Sequence, residues 1–289
     1  MARAAELALE RLDERPVELV VLDSFDQLAA ANSARAAEDD EALAYIGDFT
    51  SADVLQSAPI LGEAGLLGVA PVATFAGLRG PTLVRLMPHD GVGARAIADW
   101  LVETGVEDLL VVHDHDDGYG VPVGRMCVDA AQARGVAVRS RPVWNHDEQS
   151  AADLGAAQAV LYVGVAGSGA VELWHELHSL RPEAWLLGIE GLAVDWFARE
   201  LDPAAAGRTR LFVAQRASLG FYGFEAMSLV LDALRQAGRD REAVVRLVRG
   251  TRNRDSILGR YSIDEDGHTT TTAYGRLAVA DGELVWDAG

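Results

Sequence analysis

Short apolar runs rich in valine, leucine and isoleucine alternate with longer stretches in which apolar residues recur every three to four positions. The runs at residues 17–22, 44–46, 67–70, 109–112, 136–138, 159–163, 185–189 and 211–214 predict strands, because an unbroken apolar run of this length fits a strand covered on both faces. Helical spacing fills 2–12, 27–37, 52–64, 94–103, 121–133, 170–180 and 194–200. This β-α-β-α rhythm predicts an α/β fold of parallel sheets with helices on both faces.

So many strands exceed one sheet, and the chain divides itself in a useful place. The strand-like 83–86 runs into Met87-Pro88-His89-Asp90-Gly91, a cluster that breaks regular structure before the next helix. A second crossing is expected near Gln215, ahead of a helix over 222–235. The expected lobes are 1–88 with 216–272, and 89–215 with 273–289, joined by a multi-crossing hinge that suits a cleft able to open and close. Residues 274–286 predict a hairpin turning at Asp281-Gly282.

Composition narrows the function. A chain of 289 residues with 49% hydrophobic residues can bury a substantial core. Its net charge of −19, with no cluster of arginines, argues against nucleic acid and anionic membrane surfaces as partners. All 25 basic residues are arginine, which removes a Walker A lysine, a Schiff-base lysine and a Ser-Lys dyad. The single cysteine, Cys127, allows no intramolecular disulfide and reads as a small buried hydrophobe. No apolar run is long enough for a transmembrane segment, and Arg3, Glu6 and Glu10 do not suit a signal-peptide core, so no export address is expected in the first residues.

Candidate chemistry is sparse. The His113-Asp114-His115-Asp116-Asp117 run lacks a second cluster to complete a metal shell, and Trp174-His175-Glu176-Leu177-His178 spaces its histidines three apart rather than the four of a zinc-protease helix. No metal or cofactor is expected. The Gly164-Val165-Ala166-Gly167-Ser168-Gly169 loop between a strand and a helix reads either as a phosphate cradle or as a glycine-rich turn beside a ligand. No Gly-x-Ser-x-Gly elbow surrounds any serine. Two loops at the carboxyl ends of strands remain, Gly47-Asp48-Phe49-Thr50-Ser51 and Pro71-Val72-Ala73-Thr74. The Ser51 and Thr74 hydroxyls, with N–H groups at a helix start, would make a neutral cradle for a small carboxylate. Ser51 reads equally as an N-cap, and Thr74 as a turn residue.

These loops come in a recognisable order. Ile46 to Ser51, Ala58-Pro59-Ile60, Val69 to Thr74, Val111-Val112-His113-Asp114 with Tyr119-Gly120, Leu187-Gly188-Ile189-Glu190-Gly191, and Leu258 through Gly267 together resemble the Leu/Ile/Val-binding family of type I periplasmic binding proteins, the solute receptors of branched-chain amino acid ABC importers. The resemblance implies two Rossmann-like lobes, no catalysis, an amino acid or similar small polar ligand, an ABC importer permease as partner, and a location outside the cytoplasmic membrane. It further implies that Ser51, Thr74 and the backbone at Val72 and Thr74 hold an α-carboxylate. Glu190 would bind the α-ammonium, and Tyr119 would close over the ligand.

The chain departs from this family at three places. It opens inside what resembles the first helix, so the strand that family members place before it, in the middle of a sheet, would leave its neighbours unpartnered. A helix expected between Gln215 and Tyr222 is not apparent, and no aromatic stands at Val165 or Ala166. Two other readings remain: an α/β enzyme using a nucleotide or sugar phosphate at residues 164–169, and a ligand-sensing domain that has lost transport.

Overall fold

The computed structural model describes residues 2–10, 17–23, 28–113, 119–142, 148–167, 169–214 and 219–287. In chain order the elements are α1 (Ala2–Glu10), α2 (Ala29–Glu38), β1 (Ala44–Ile46), α3 (Ser51–Glu63), β2 (Leu67–Ala70), β3 (Leu83–Arg85), α4 (Asp90–Glu103), β4 (Asp108–His113), α5 (Gly120–Gln132), β5 (Ala137–Pro142), α6 (Glu148–Leu154), β6 (Ala159–Val163), α7 (Ala170–Leu180) and β7 (Trp185–Ile189). A 3-10 turn (Glu190–Leu192) then precedes α8 (Asp195–Glu200), α9 (Pro203–Gly207), β8 (Thr209–Ala214), α10 (Leu219–Ala237), α11 (Arg241–Arg249), β9 (Arg254–Ser256), β10 (Gly259–Tyr261), β11 (Tyr274–Ala280) and β12 (Glu283–Trp286). They form two compact units, Met1–His89 with Ala217–Thr272, and Asp90–Arg216 with Ala273–Gly289.

The second unit is built on a seven-stranded sheet in the order β12-β11-β8-β7-β6-β4-β5, with β4 to β8 parallel and β11 and β12 antiparallel. Its central strands are buried almost end to end because both faces are covered, and alternate residues feed two separate cores. Leu110, Val112, Val160, Leu186 and Leu211 pack with Trp174 and Phe197 on one face. Leu109, Val111, Leu161, Leu187 and Phe212 pack with Ile97, Trp100 and Val123 on the other. Trp174 anchors the first core: its indole N–H donates to Thr209 Oγ1 at 2.9 Å, and Phe197 meets its ring edge-on, centroids 5.3 Å apart. The hairpin turns at Asp281 and Gly282, whose φ of 51° and 75° are the left-handed values a two-residue turn requires.

The first unit carries a three-stranded parallel sheet, β1-β2-β3. Beyond β3, Arg85 N donates to Gly267 O and Thr269 N to Arg85 O, so a return segment covers that edge. Gly267 must be glycine there: its φ is 85°, and a Cβ would lie 2.3 Å from Leu83 O. Helices α1 and α10 share a core of Ala5, Ala8, Leu9, Met227 and Leu231, on which Val17, Leu19 and Ile46 also rest. Under α10 a buried Glu225 accepts from Arg254 Nε at 2.5 Å and Tyr261 Oη at 2.8 Å.

Residues 17–22, expected as a strand, join no sheet, and Val20 and Val21 are each 58% exposed. An apolar β-branched run meets the sequence criterion for a strand, but a strand also needs a hydrogen-bonding neighbour, and β1 pairs with β2 alone. The expected helix at 194–200 is α8 preceded by the separate 3-10 turn, and α6, α9, α11 and the β9–β10 pair were not foreseen. Helix α10 already begins at Leu219; the expected crossing near Gln215 lies outside the described residues, as do Asp114 to Asp117 and Ser168.

Trp174→Ala is expected to cost about 3–5 kcal/mol, whereas Val20→Thr with Val21→Thr should stay within about 0.5 kcal/mol of the parent. Urea denaturation of the three proteins checks the contrast.

Candidate functional site

On the first unit, β1 ends at the 47–51 loop. Thr50, not Ser51, is the N-cap of α3: its Oγ1 accepts from Asp53 N at 3.1 Å and donates to Asp53 Oδ2 at 2.7 Å. That corrects the capping alternative for Ser51 and releases its side chain for another contact. Ser51 Oγ accepts from Phe75 N at 3.1 Å, which ties the 47–51 loop to the loop carrying Val72 and Thr74. As an acceptor the hydroxyl keeps its proton available to donate.

The 71–78 loop is anchored from beneath by Arg85, which is fully buried at the end of β3. Its Nη1 donates to Thr74 O at 3.2 Å and Phe75 O at 2.7 Å. Farther along, His268 Nε2 lies 2.9 Å from Leu78 O, and Arg79 Nη1 donates to Ala76 O and Leu78 O. Burial lowers the His268 pKa, so its ring is neutral at pH 7. Val72 and Thr74 are both buried within this frame.

On the second unit, Glu190 stands at the carboxyl end of β7, in a small pocket with Asp90, Val123, Cys127 and Tyr274. Tyr274 Oη donates to both carboxylate oxygens, at 3.3 and 3.4 Å. Burial, and secondly the negative charge of Asp90, push the Glu190 carboxyl up to about 8, against the opposing effect of its backbone N–H and Tyr274. The same burial and the two acids push the Tyr274 phenol up as well, so it stays a donor. Tyr119, the N-cap residue of α5, packs half-buried on the core beneath and is close enough to influence Tyr274. Burial likewise pushes the Cys127 thiol up, which leaves it unreactive.

In the glycine loop after β6, Ala166 N donates to Gly191 O, Gly167 N to Val165 O and Ala170 N to Gly167 O, which engages three of its N–H groups within the fold. The contact knits that loop to the Glu190 turn so closely that a Cβ on Gly191 would lie 2.4 Å from Gly164 O. On the helix tried as a zinc site, His175 Nε2 accepts from Asp202 N at 3.1 Å, and among the described residues no group of three or more His, Cys, Asp and Glu could hold a metal ion. No helix among them is long and apolar enough to cross a membrane.

The sequence thus placed Ser51 and Thr74 in touching loops of one unit, and Tyr119 and Glu190 in one region of the other. It missed Arg85, Asp90 and Tyr274. An arginine in a strand, an acid at a helix start and a tyrosine at a hairpin start carry no local sign of burial.

Parallel sheets with hydroxyls at strand carboxyl ends in one unit and a protonatable acid at such an end in the other define a two-unit α/β binding architecture. The chain belongs to the periplasmic binding protein family, whose model matches residues 1–179. Its fold is the type I form of that family. Similar solved structures include an ABC transporter substrate-binding protein from Desulfitobacterium hafniense in complex with Leu, with a TM-score of 0.83 and 20% identity over 99% of this chain and 94% of that one. A leucine binding protein, LivK, from Thermotoga maritima gives 0.82 and 23%, over 99% and 91%. A solute binding protein of an ABC transporter from R. palustris, in complex with benzoate, gives 0.74 and 16%, over 98% and 90%. A search of curated protein sequences finds no match.

Glu190 yields a pH prediction. Between its ordinary value of 4.5 and about 8, the folded chain keeps a proton that the unfolded chain has lost, so raising pH through this window erodes stability. Glu190→Gln should therefore melt at a higher temperature than the parent at a pH of about 8.5, with the gap closing by a pH of about 5. Calorimetric melts at the two pH values check it.

Proposed function

We propose that the chain is a non-enzymatic receptor that captures an amino acid or a similar small polar solute, outside the cytoplasmic membrane, for an ABC importer. The observation that carries this reading is the Phe75 N to Ser51 Oγ hydrogen bond, which holds a hydroxyl with its proton still to donate beside the Thr74 loop. Ser51 and Thr74, with the backbone at Val72 and Thr74, receive the α-carboxylate. Glu190 receives the α-ammonium, and Tyr119 closes over the ligand.

The chemistry of each group supports these roles. Hydroxyls and N–H groups are neutral donors, suited to a carboxylate that must later be released. A half-buried acid with a raised pKa gains most from an arriving cation, because the ammonium replaces both the proton and the lost solvation. The similar structures include proteins in complex with Leu and with benzoate, so a carboxylate is common to both ligands. The domain division that accompanies this reading is 1–88 with 216–272 and 89–215 with 273–289. The engaged N–H groups of Ala166, Gly167 and Ala170 weigh against the alternative of an enzyme holding a phosphate at residues 164–169.

Titration calorimetry with a panel of amino acids tests the proposal. Ser51→Ala and Glu190→Gln should each weaken the best ligand at least about tenfold. Affinity in the parent should rise between pH 6 and 8, by at most about tenfold per pH unit, as Glu190 gives up its proton. Binding that ignores both substitutions rejects the site.

A further inference from the structure

The loop that carries Ser51 also carries an acid with no assigned task. Asp48 is 3% exposed, and its Oδ1 accepts from Tyr45 Oη at 2.7 Å. Its Oδ2 is sealed from solvent and has no hydrogen-bond partner among the described residues. No arginine or histidine among them pairs with it. Arg79 and Arg85, which serve the neighbouring loop, donate to the carbonyl oxygens of residues 74, 75, 76 and 78, and Arg79 also pairs with Asp266. Burial and the bond to Asp48 push the Tyr45 phenol up, so that residue remains a neutral donor and supplies no positive charge.

A carboxylate taken out of water with one neutral donor is a costly arrangement, and a cation is the partner that offsets the cost best. A simple zwitterion brings one positive group and one negative group. With Glu190 assigned to the one positive group of such a solute, Asp48 is left without a cationic partner among the described residues. An aliphatic side chain would leave Asp48 Oδ2 buried against hydrocarbon.

Building on the receptor reading above, we infer that the solute carries a second cationic group, an ammonium or guanidinium as in a basic amino acid, and that Asp48 Oδ2 accepts a hydrogen bond from it. Asp48 is then the residue that sets specificity, within three positions of the hydroxyl that holds the carboxylate.

The test is calorimetry of the parent and of Asp48→Asn with L-ornithine, L-arginine, L-leucine and agmatine. Asp48→Asn keeps the acceptor for Tyr45, and the ratio of two affinities within one variant does not depend on how much of it is folded. In the parent, ornithine or arginine should bind about 10- to 100-fold more tightly than leucine. In Asp48→Asn the basic ligands should weaken by a similar factor while leucine tightens, since a buried negative charge near its carboxylate is gone. Leucine binding the parent as tightly as ornithine, or Asp48→Asn weakening both by one common factor, overturns the inference. Agmatine has no carboxylate. If it matches arginine in the parent and loses affinity in Asp48→Asn, the Asp48 contact stands and the carboxylate role of Ser51 and Thr74 falls. A parent that binds none of the four overturns both.

Discussion

In a parallel sheet every strand delivers the chain to the same edge, and there the backbone must leave the ladder with its polar groups unpaired. Both units obey this constraint, and the groups that matter stand where it applies. β1 and β2 release the loops that meet through Ser51 and Phe75; β7 releases Glu190. The loops differ in how they settle the released groups. The 71–78 loop is drawn onto a buried guanidinium, and the 164–170 loop closes on itself and on Gly191. In the 47–51 loop, Asp48 Oδ2 is buried with no hydrogen-bond partner among the described residues.

Charge gives the 47–51 loop and the Glu190 turn their character. With 44 acidic side chains and 25 basic ones, most arginines are occupied in ion pairs or on carbonyl oxygens. Arg254 bridges Glu225 and Asp232; Arg210 and Arg276 meet on Asp287. Asp48 and Glu190 are left to other means, a tyrosine hydroxyl in each case. Such phenols can offer a hydrogen bond but no charge.

The sequence made the architecture legible where burial on two sides forces a distinct composition. β4, β6, β7 and β8 are nearly continuous apolar runs because helices cover both faces. The same criterion misled at residues 17–22, where composition speaks of a strand while pairing depends on a neighbour no local pattern encodes. α11 escaped notice because its nine residues mix three arginines and a glutamate into a short apolar stretch under a cap, Asp240, whose role shows only in its bond to Ala243 N. At the candidate site, the sequence singled out Ser51, Thr74 and Glu190 through their order along the chain. Arg85, Asp90 and Tyr274 were not singled out, since charge and hydroxyl identity predict exposure, and surroundings are decided by segments up to 190 positions distant, as with His268 and Leu78.

One compositional oddity acquires practical meaning once burial is known. Lysine is absent from the chain, and its one thiol, Cys127, is sealed in the interior with its ionisation suppressed. Apart from the chain terminus, the folded surface therefore offers no amine and no ready sulfur nucleophile to an electrophilic reagent. A cysteine introduced on an exposed helix would be a unique address for a fluorophore or a tether, with no background to remove first.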